Sequence, residues 1–597
     1  MMSMHWFGRR VIFLSLVLPL LSATLAAAED SPLGQLPAGA PLVIQIHGVQ
    51  HTKDRLMTLV KNALPELAPQ LQAKIEDNLK QKLHGRKLEG LAPAGPDFVV
   101  FTALPESSEQ RGLKLAYLAR VSNYTAFRDG LLKPGERKVL TKDPAGYEVT
   151  TVDNGEKFYI FERHGYAVFT SHKEVADQFV HTSSGLKLSG ELATELLQPD
   201  IAVYIDLAAV NRKYGDQIKS GRQFIEQLFG PNSPWMKQQA KANLQILQTM
   251  IGALFQATAD SRAAVAGVEF RTDGLALHTQ VDVSANTKTD QYLKNFSLAS
   301  GSDLATLPAQ QMGYWTIKLG PDSLKASAWM KTMILGSGAQ AKAVQEAFDQ
   351  LIAAKPHAFL EAFRLPPSGL KIAHFEDPAK AAAAMRHLFE AFEVGENFAS
   401  APIKGKPELK LDAQMHRGFR LDYASFTWDL DKLLATYEGP EESKKQFRTT
   451  MEQMLGKGIK VWFGTNGKIN VQVIASDWPT AQRELDRYLD GKDTLGQQPA
   501  YAETRKNLPA EATAIALLDV SQYLHHVLEP FLTTYLKKQA SGGATPALPV
   551  GSGKASFLGF AVQLQAEQGG FHLWLPGTAI GDVYKTYAPL IQSAHRQ

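Results

Sequence analysis

Two short segments that lie far apart in the chain are nearly identical, and this recurrence constrains the fold more than any other feature. Gly112 to Tyr117 reads GLKLAY, and Gly369 to His374 reads GLKIAH. Leu36-Pro37 and Leu307-Pro308 also recur, and an apolar run typical of a buried strand follows each pair. Several elements that recur in one order indicate an internal repeat. We therefore predict a tandem duplication.

The duplication predicts domain boundaries. Each half contains an apolar strand that ends in an acid and runs into a helix, and these acids are Asp206 and Asp519. Within each half the pattern predicts the order strand, two helices, two strands, helix twice, so two repeats and four repeats both stay open. The predicted divisions are a signal peptide at 1–28, a first half at 29–300 with subdivisions 37–132 and 199–298, and a second half at 301–597 with subdivisions 307–397 and 508–590.

Turn dipeptides predict the fold class. Asn154-Gly155, Asp273-Gly274 and Asn466-Gly467 each join two strand-like segments. These dipeptides readily adopt the positive φ angles that two-residue hairpins require. Strands joined in this way are antiparallel, and the apolar–polar alternation around Gly274 is typical of sheets with one face in water. We predict an α+β fold: tandem duplicated domains of antiparallel sheets with amphipathic helices packed on one face.

The predicted helices carry apolar stripes. One stripe recurs every four residues, and a second follows the spacing of a helix-packing seam. We expect both to pack against the protein interior, and a groove for a partner is the alternative. The stripes are formed by Leu67, Leu71, Ile75, Leu79 and Leu83, and by Ala240, Leu244, Leu247, Ile251 and Leu254.

The N-terminus has the order of a secretory signal. Arg9-Arg10 precedes an apolar run from Val11 to Leu21, and small residues follow up to Ala26-Ala27-Ala28. A basic region, an apolar region and an A-x-A site form a cleavable signal peptide. We expect cleavage near Ala28 and a periplasmic or secreted protein, by either the general secretory or the twin-arginine route.

Composition excludes several classes of site. The chain has 63 Lys and Arg against 60 Asp and Glu, and no Cys. A nearly neutral protein has no long-range field to attract nucleic acid, so no nucleic-acid partner is expected. Without Cys there is no disulfide, thiolate metal ligand or cysteine nucleophile. The mature chain has no uninterrupted apolar run of about 18 residues, so we predict no transmembrane segment there and a soluble protein.

Histidine pairs were considered as metal ligands. His47 and His51 are four residues apart, but Gly48 ends a strand between them, so we do not expect them to share a face. The adjacent His525-His526 should diverge around a helix, whereas a hairpin could bring His164 near His172. No H-E-x-x-H motif occurs. No metal-ligating residue is assigned, and all these histidines are expected to be structural.

Motifs for catalysis and nucleotide binding are incomplete. Ser184-x-x-Lys187 and Ser368-x-x-Lys371 fit the letters of a serine acyl-transfer motif, but Ser368 enters a predicted strand, where positions three apart face opposite sides. The glycine-rich segments at 336–341 and 551–554 lack the strand-to-helix context of a phosphate loop. Asp429 and Asp431 lack the oxygen-rich loop of a calcium site. No catalytic residue and no cofactor is assigned.

The tandem layout resembles uncharacterised families of exported bacterial proteins, in which a Leu-Pro opening leads into an apolar strand and amphipathic helices alternate with hairpins. The resemblance implies an export address and an architecture, and no catalytic residue comes with it. We expect a non-catalytic binding or scaffolding protein of the cell envelope, whose partner is an envelope protein or a small ligand. The alternative is an envelope hydrolase whose site is assembled from distant segments.

Overall fold

A computed structural model describes residues 31–106, 113–152, 155–181, 184–188, 190–228, 241–320, 323, 342–394, 397–398, 401–435, 441–528 and 554–594. The predicted signal peptide, Gly112 and the glycine-rich segments at 336–341 and 551–553 lie outside these residues. The chain forms two compact units. The first comprises residues up to 218 with 261–284 and 570–573, and the second comprises 219–260, 285–569 and 574–597.

The elements up to residue 293 alternate strands with helices. Ten strands are β1 Leu42–Ile46, β2 Asp97–Phe101, β3 Leu115–Arg120, β4 Thr141–Lys142, β5 Glu148–Thr151, β6 Lys157–Arg163, β7 Tyr166–Thr170, β8 Ile201–Ile205, β9 Ser261–Arg271 and β10 Gly274–Val283. The helices are α1 Val49–Ala63, α2 Ala68–Leu83, α3 Tyr124–Leu131, α4 Pro134–Lys138, α5 Lys173–His181, α6 Gly190–Leu197, α7 Leu207–Leu228, α8 Lys241–Asp260 and α9 Lys288–Leu293, with a 3-10 helix at Pro32–Gln35.

The elements after residue 300 follow a similar alternation. The strands are β11 Gly313–Lys318, β12 Pro356–Arg364, β13 Ser368–Phe375, β14 Asn397–Phe398, β15 Ala401–Pro402, β16 Glu408–His416, β17 Phe419–Thr427, β18 Gly458–Thr465, β19 Asn470–Ile474, β20 Ala514–Asp519, β21 Phe557–Gln565 and β22 Gln568–Pro576. The helices are α10 Lys342–Ala353, α11 Pro378–Ala391, α12 Leu430–Ala435, α13 Glu441–Leu455, α14 Trp478–Asp490, α15 Pro499–Arg505, α16 Val520–Tyr523 and α17 Gly577–Ala594, with a π-helix at Leu524–Leu528 and 3-10 helices at Ser302–Thr306 and Leu495–Gln497.

The strand pairs within the two orders below are antiparallel, and together with the helices they confirm a mixed α+β fold. In the first unit the strands are ordered β4-β5-β6-β7-β3-β2-β1-β8-β9-β10. In the second unit the order is β16-β17-β18-β19-β13-β12-β11-β20-β21. The strand after the first 3-10 helix of each unit pairs with a strand much later in the chain: β1 pairs with β8, and β11 pairs with β20. Contacts between distant segments therefore hold the middle of each strand order together.

The Leu-Pro pairs begin each sheet in the same way. Leu36 and Leu307 are fully buried, and each ends a 3-10 helix whose last turn is closed by the leucine N–H. The following Pro37 and Pro308 each form an isolated antiparallel bridge to a later segment. Proline tolerates this position because a single bridge does not need its missing N–H. The recurrent dipeptide therefore fixes how the chain enters each sheet.

Two of the predicted hairpins are present. Thr272 and Asp273 join β9 to β10, and Asn466 begins the turn between β18 and β19. Gly467 has a φ of 84°, and Asn466 Oδ1 accepts N–H bonds from the two residues after this glycine. The third turn, at Asn154-Gly155, begins outside the described residues.

The predicted apolar stripes are less buried than expected. Leu79 on α2 is 37% exposed, and the other stripe leucines of this helix are half-buried. Their contacts are with α1, where Met57 and Val60 are buried beside Leu71 and Ile75. On α8, Leu254 is 68% exposed. Helix α2 therefore packs on α1.

Candidate ligand-binding site

An apolar cavity of about 200 Å³ lies in the second unit between the sheet and two helices. Its floor comes from four neighbouring strands, β12, β13, β19 and β18, and its roof comes from α10 and α11. Cross-strand pairing aligns the floor, because Phe359 lies opposite Ala373 and Ala373 lies opposite Asn470. The other lining residues are Phe348, Leu351, Lys371, Phe375, Ala381, Ala382, Met385, Leu388, Phe389, Phe392, Phe463, Gly464, Val471 and Gln472.

Strand periodicity explains why these side chains meet. Lys371, Ala373 and Phe375 alternate along β13, so they project from one face of the sheet. Asp377 precedes helix α11 as its N-cap, and its carboxylate accepts the Lys380 N–H at 2.9 Å. The helix then runs back over this face of the sheet. The small Ala381 and Ala382 leave space beneath the helix, while Phe389 packs on Phe463 with ring centroids 4.9 Å apart. Small residues beside large aromatic rings create the void.

Three polar side chains line the cavity. Asn470 is 8% exposed, and its Nδ2 donates to Pro378 O at 2.8 Å. Asn470 Oδ1 is buried and accepts no hydrogen bond within the described part of the chain. Gln472 Nε2 donates to Met385 Sδ at 3.6 Å. The half-buried Lys371 holds its Nζ 5.4 Å from the Phe359 ring centroid and 4.0 Å from Glu361. The wall of the cavity is therefore mainly apolar, with these three polar residues at its edge formed by β13 and β19.

A separate polar cleft of about 370 Å³ in the second unit is lined by Asp303, Thr306, Lys318, His357, His374 and Tyr488, together with Ala358 and Leu360. Lys318 forms an ion pair with Asp303. Burial, followed by the nearby Lys318 charge, lowers the pKa of His374 below its usual value. Burial and Asp303 raise the pKa of Tyr488. A neutral imidazole in a cleft can accept or relay a proton.

The first unit contains a charged network around Asp200, which is 1% exposed. Arg55 donates to Asp200 at 3.1 Å and to Glu269 at 3.2 Å, and Asp200 Oδ2 accepts the Phe270 N–H at 3.0 Å. His51 Nε2 lies 3.6 Å from Asp200. Burial raises the pKa of Asp200, and Arg55 opposes this shift. Because Arg55 donates to Asp200, Glu269 and the Phe270 carbonyl, the network joins α1 to the start of β8 and the end of β9.

A second buried polar group lies elsewhere in the first unit. His278 Nδ1 and His572 Nδ1 are 2.7 Å apart, so one nitrogen donates a proton to the other. Burial lowers the pKa of His278 to about 3 and that of His572 to about 4. Glu195 Oε1 is 4.0 Å from His278, and burial raises the pKa of Glu195 to about 7. All three side chains therefore favour their neutral forms.

His47 precedes α1 and therefore does not share a helical face with His51. Their ring centroids nevertheless lie 5.4 Å apart, on either side of Gly48, which has a φ of 78°. The expected divergence of His525 and His526 is not observed, since their ring centroids are 4.9 Å apart in a π-helix. His172 Nε2 interacts with Leu113 O at 3.1 Å, and His164 occupies the β6–β7 turn. Among the residues that the structure describes, no group of three His, Cys, Asp or Glu could hold a metal ion.

The serine motifs do not assemble a catalytic pair. Ser368 lies on β13, where its hydroxyl accepts from Arg364 Nε at 2.8 Å, and Lys371 lines the apolar cavity. Ser184 precedes Gly185, which packs so tightly on Gly34 that an added Cβ would lie 2.3 Å from its Cα. The motif at Ser368 is therefore part of a strand, and the motif at Ser184 lies where two backbone segments pass close to each other.

The carboxylate and asparagine candidates are structural. Asp206 caps α7 through the Ala209 N–H at 2.7 Å, and Asp519 caps α16 through the Ser521 N–H at 3.1 Å. Asp429 caps α12 at the Lys432 N–H, and Asp431 pairs with Arg448. Asn123 caps α3 through the Ala126 N–H at 2.9 Å. Helix N-termini attract such side chains because their first N–H groups lack partners.

Sequence reasoning did not single out Asn470 or the aromatic residues of the cavity. The pattern around Asn466-Gly467 places Asn470 in the second strand of a hairpin, and no motif singles out the phenylalanines. A signal existed in the Ala-rich start of α11, because Ala381 and Ala382 are small residues at positions that face a sheet. Their significance depends on the rings opposite them, which come from elements far away in the chain.

No protein-family model matches this chain, and no curated protein is significantly similar to it. Solved structures of TP0453 in crystal forms IV, I and III are 13, 11 and 12% identical, with TM-scores of 0.21, 0.21 and 0.22. They cover 42, 43 and 45% of this chain and 80, 80 and 88% of their own chains. Scores this low do not indicate a common fold. Among the described residues, no helix is long and apolar enough to cross a bilayer.

Proposed function

We propose that this chain is an exported, non-catalytic binding protein of the bacterial cell envelope whose second unit encloses a small apolar ligand. The observation that carries the proposal is the cavity of about 200 Å³ lined by Phe348, Phe389 and Phe463. An apolar cavity of about 150 Å³ stays dry and binds benzene in a well-studied case. A void costs about 24 cal/mol per Å³, so a ligand that fills this one would recover on the order of several kcal/mol.

The test uses fluorobenzene as the probe and fluorine NMR as the readout. Ala382 lines the cavity and Ala383, its neighbour on α11, is exposed, so the same substitution at the two sites forms a matched pair. We expect saturable binding by the wild-type protein and by Ala383→Leu. Ala382→Leu should weaken binding at least tenfold because the added side chain occupies the cavity.

Two outcomes would overturn this proposal: no saturable binding by the wild type, or equal binding by a folded Ala382→Leu. Circular dichroism establishes that each variant is folded. Ala373→Val fills the same space from the floor, and it replaces Ala382→Leu if that variant does not fold.

We also infer that the two units descend from one duplicated sequence. The support is the matching strand order, together with two joints that agree in detail. Asp206 N–H bonds Pro41 O at 2.9 Å, and Asp519 N–H bonds Met312 O at 2.8 Å. Each pair lies where the central strand of its sheet meets the strand before a capped helix. An experimental structure in which residues 32–293 and 302–594 have different strand orders would contradict the duplication.

Export is part of the proposal and has its own test. The order of basic, apolar and small residues before Glu29 supports cleavage after Ala28. N-terminal sequencing of protein recovered from the periplasm should begin at Glu29, and an intact Met1 would contradict cleavage. The likeness of the tandem layout to exported bacterial families stays a prediction alongside it.

The hydrolase alternative has one observation in its favour, the polar cleft that contains His357, His374 and Asp303. An esterase assay with a p-nitrophenyl ester tests it. Turnover by the wild type that is lost in His374→Ala would favour the hydrolase, and turnover unchanged by this variant would not.

A further inference from the structure

We propose that an open groove at one end of the second unit's strands binds a small amphiphilic anion, an organic carboxylate, sulfonate or phosphate with an apolar body. The groove has a volume of about 760 Å³, and no described residue lines both this groove and the enclosed apolar cavity. Sites for small organic molecules usually measure about 300 to 1,000 Å³. The groove is therefore large enough for a ligand of its own, and this second site does not depend on the cavity.

The groove lies where neighbouring strands of the second unit begin or end. Thr427 at the end of β17 pairs with Gly458 at the start of β18, and β19 and β13 follow in the strand order. The loop before β18 meets the turn between β12 and β13, because a Cβ added to Gly456 would lie 3.7 Å from Pro366 Cβ. These strand ends and loops form the walls of the groove.

Positive charge is concentrated in this groove, although the whole chain is nearly neutral, with 63 Lys and Arg against 60 Asp and Glu. One carboxylate lines the groove, that of Glu408, and its Oε1 already lies 2.8 Å from Lys410 Nζ. Four cationic side chains line the groove, and they belong to Arg364, Lys406, Lys457 and Lys460. This excess of cations favours an anionic ligand.

Lys406 and Lys457 are the cations that a ligand can reach most readily. Both are exposed, and neither forms an ion pair or a side-chain hydrogen bond within the described part of the chain. The arginine and the third lysine already donate hydrogen bonds, to Ser368 Oγ at 2.8 Å and to Ser476 O at 2.9 Å respectively. A ligand that binds Lys406 and Lys457 therefore displaces no existing contact of their charged groups.

The two free lysines flank the end of β17. Lys457 O accepts the Trp428 N–H at 3.3 Å on one side of this strand, and the Lys404 N–H donates to Thr427 O at 2.9 Å on the other side. Neighbouring strands are about 4.8 Å apart, so the backbone at Lys457 and the segment that holds Lys406 are separated by roughly 10 Å. Two long lysine side chains can span this gap and contact the same anionic group.

Apolar side chains adjoin the lysines and select the rest of the ligand. Leu365, Pro367 and Leu455 are half-buried and Pro366 is exposed, so all four remain accessible from the groove that they line. An inorganic anion or a uniformly acidic peptide would use the lysines but leave this apolar surface in water. An anion with a hydrocarbon or aromatic body covers both, because burial of apolar surface is favourable.

The experiment is a fluorescence titration of the full chain with two probes that share one ring system. The first, 1-anilinonaphthalene-8-sulfonate, is an anion, and the second, N-phenyl-1-naphthylamine, lacks the sulfonate. The double variant Lys406→Gln/Lys457→Gln should bind the sulfonate probe roughly fivefold more weakly than the wild type, since each exposed ion pair contributes modestly. Its affinity for the uncharged probe should change less than about twofold.

The matched control is Lys380→Gln/Lys468→Gln, which removes two exposed lysines near the other end of the same strands. Lys380 follows the end of β13, and Lys468 precedes β19. This variant should bind both probes as the wild type does. Ala382→Leu, which fills the enclosed cavity, should leave the affinity for the sulfonate probe unchanged. Decanoate should displace this probe more effectively than a hexaglutamate peptide, which has no apolar body.

The proposal is overturned if the wild type shows no saturable binding of the sulfonate probe, or if the double variant and its control bind this probe equally well. A loss of sulfonate-probe binding in Ala382→Leu would place the probe in the enclosed cavity, and stronger displacement by hexaglutamate would assign the groove to an acidic peptide. Either result also overturns it. None of these outcomes changes the expected result with fluorobenzene, so the two sites succeed or fail separately.

Discussion

Asp200 in the first unit and Thr513 in the second perform the same backbone task with different chemistry. Asp200 Oδ2 accepts the N–H of Phe270 at 3.0 Å, and Thr513 Oγ1 accepts the N–H of Leu564 at 2.9 Å. Asp200 immediately precedes β8, and Thr513 immediately precedes β20. Each accepts an N–H near the end of the strand that follows, β9 or β21. The hydroxyl completes this joint by itself, whereas the carboxylate brings a charge that Arg55 must balance.

A second position shows the same difference. Glu195 on α6 and Thr504 on α15 are both buried. Each lies on a short helix, and these helices contact the corresponding strands β9 and β21. Thr504 Oγ1 donates to Phe557 O at 3.0 Å, while Glu195 Oε2 has no partner within the described residues. The first unit thus uses buried carboxylates where the second uses threonines. This comparison predicts that charge and pH affect the stability of the first unit more than that of the second at these two positions.

The largest expected effect follows from removal of Asp200. Asp200→Ala leaves the Phe270 N–H without its acceptor and leaves Arg55 with Glu269 as its remaining carboxylate partner. We expect a loss of about 3 kcal/mol in the local stability of β9, since a broken buried ion pair costs more than a neutral hydrogen bond. Hydrogen exchange of the amides in β9 measures this loss.

Asp200→Thr sharpens the comparison, because it introduces the residue that the second unit uses. It should restore the bond to Phe270 and recover part of the loss. The division between carboxylate and hydroxyl roles would be wrong if Asp200→Thr were as damaging as Asp200→Ala, or if neither variant changed exchange in β9.

Local features of this fold could be predicted from sequence, and long-range ones could not. The turn at Asn466-Gly467 depends only on neighbouring residues, so the dipeptide itself predicts it. The approach of the His47 and His51 rings depends on the φ of Gly48, which a glycine permits but does not specify. One backbone angle therefore decides how close these two side chains come.

The candidate site lies beyond local reasoning for a related reason. Ala373 and Asn470 are opposite each other only because β13 pairs with β19, which is almost a hundred residues later. A shift of one residue in this register would move Asn470 to the other face of the sheet. The alternating pattern predicted that these strands have a buried face, but it could not show which small and large side chains meet there.

A pH-dependent effect of intermediate size is expected at Glu195. Burial raises the pKa of Glu195 to about 7. At pH values between the ordinary carboxyl pKa and about 7, Glu195 is therefore protonated in the folded protein and ionised in the unfolded chain. The contribution of Glu195 is therefore favourable at low pH and is lost as the pH rises through about 7. Glu195→Gln should be roughly 2 kcal/mol more stable than the wild type at pH 9, with little difference at pH 4.

The measurement is denaturant unfolding of both proteins at several pH values. Glu191→Gln is the control, because Glu191 is exposed one turn earlier on the same helix, and it should give a much smaller change. The histidines act with the opposite sign: His278 and His572 resist protonation when folded, so they lower stability as the pH falls below about 6.5. A stabilising effect of Glu195→Gln that is the same at pH 4 and pH 9 would contradict the role of its ionisation.

The smallest expected effect concerns Thr513, where the joint is neutral. Thr513→Ala removes the hydroxyl that accepts the Leu564 N–H and donates to Leu564 O at 3.3 Å. It leaves no charged group without a partner. The expected loss is about 1 kcal/mol, since a neutral hydrogen bond contributes about that much to stability. Hydrogen exchange of the Leu564 amide should accelerate about fivefold, while Thr513→Ser should stay close to the wild type because it keeps the hydroxyl. The loss should also be independent of pH, in contrast to the loss caused by Asp200→Ala, which should shrink as acid protonates Asp200 in the wild type. If Thr513→Ala proved as costly as Asp200→Ala, the charge at Asp200 would add nothing to the backbone bond, and the difference between the units would be one of sequence without an energetic consequence.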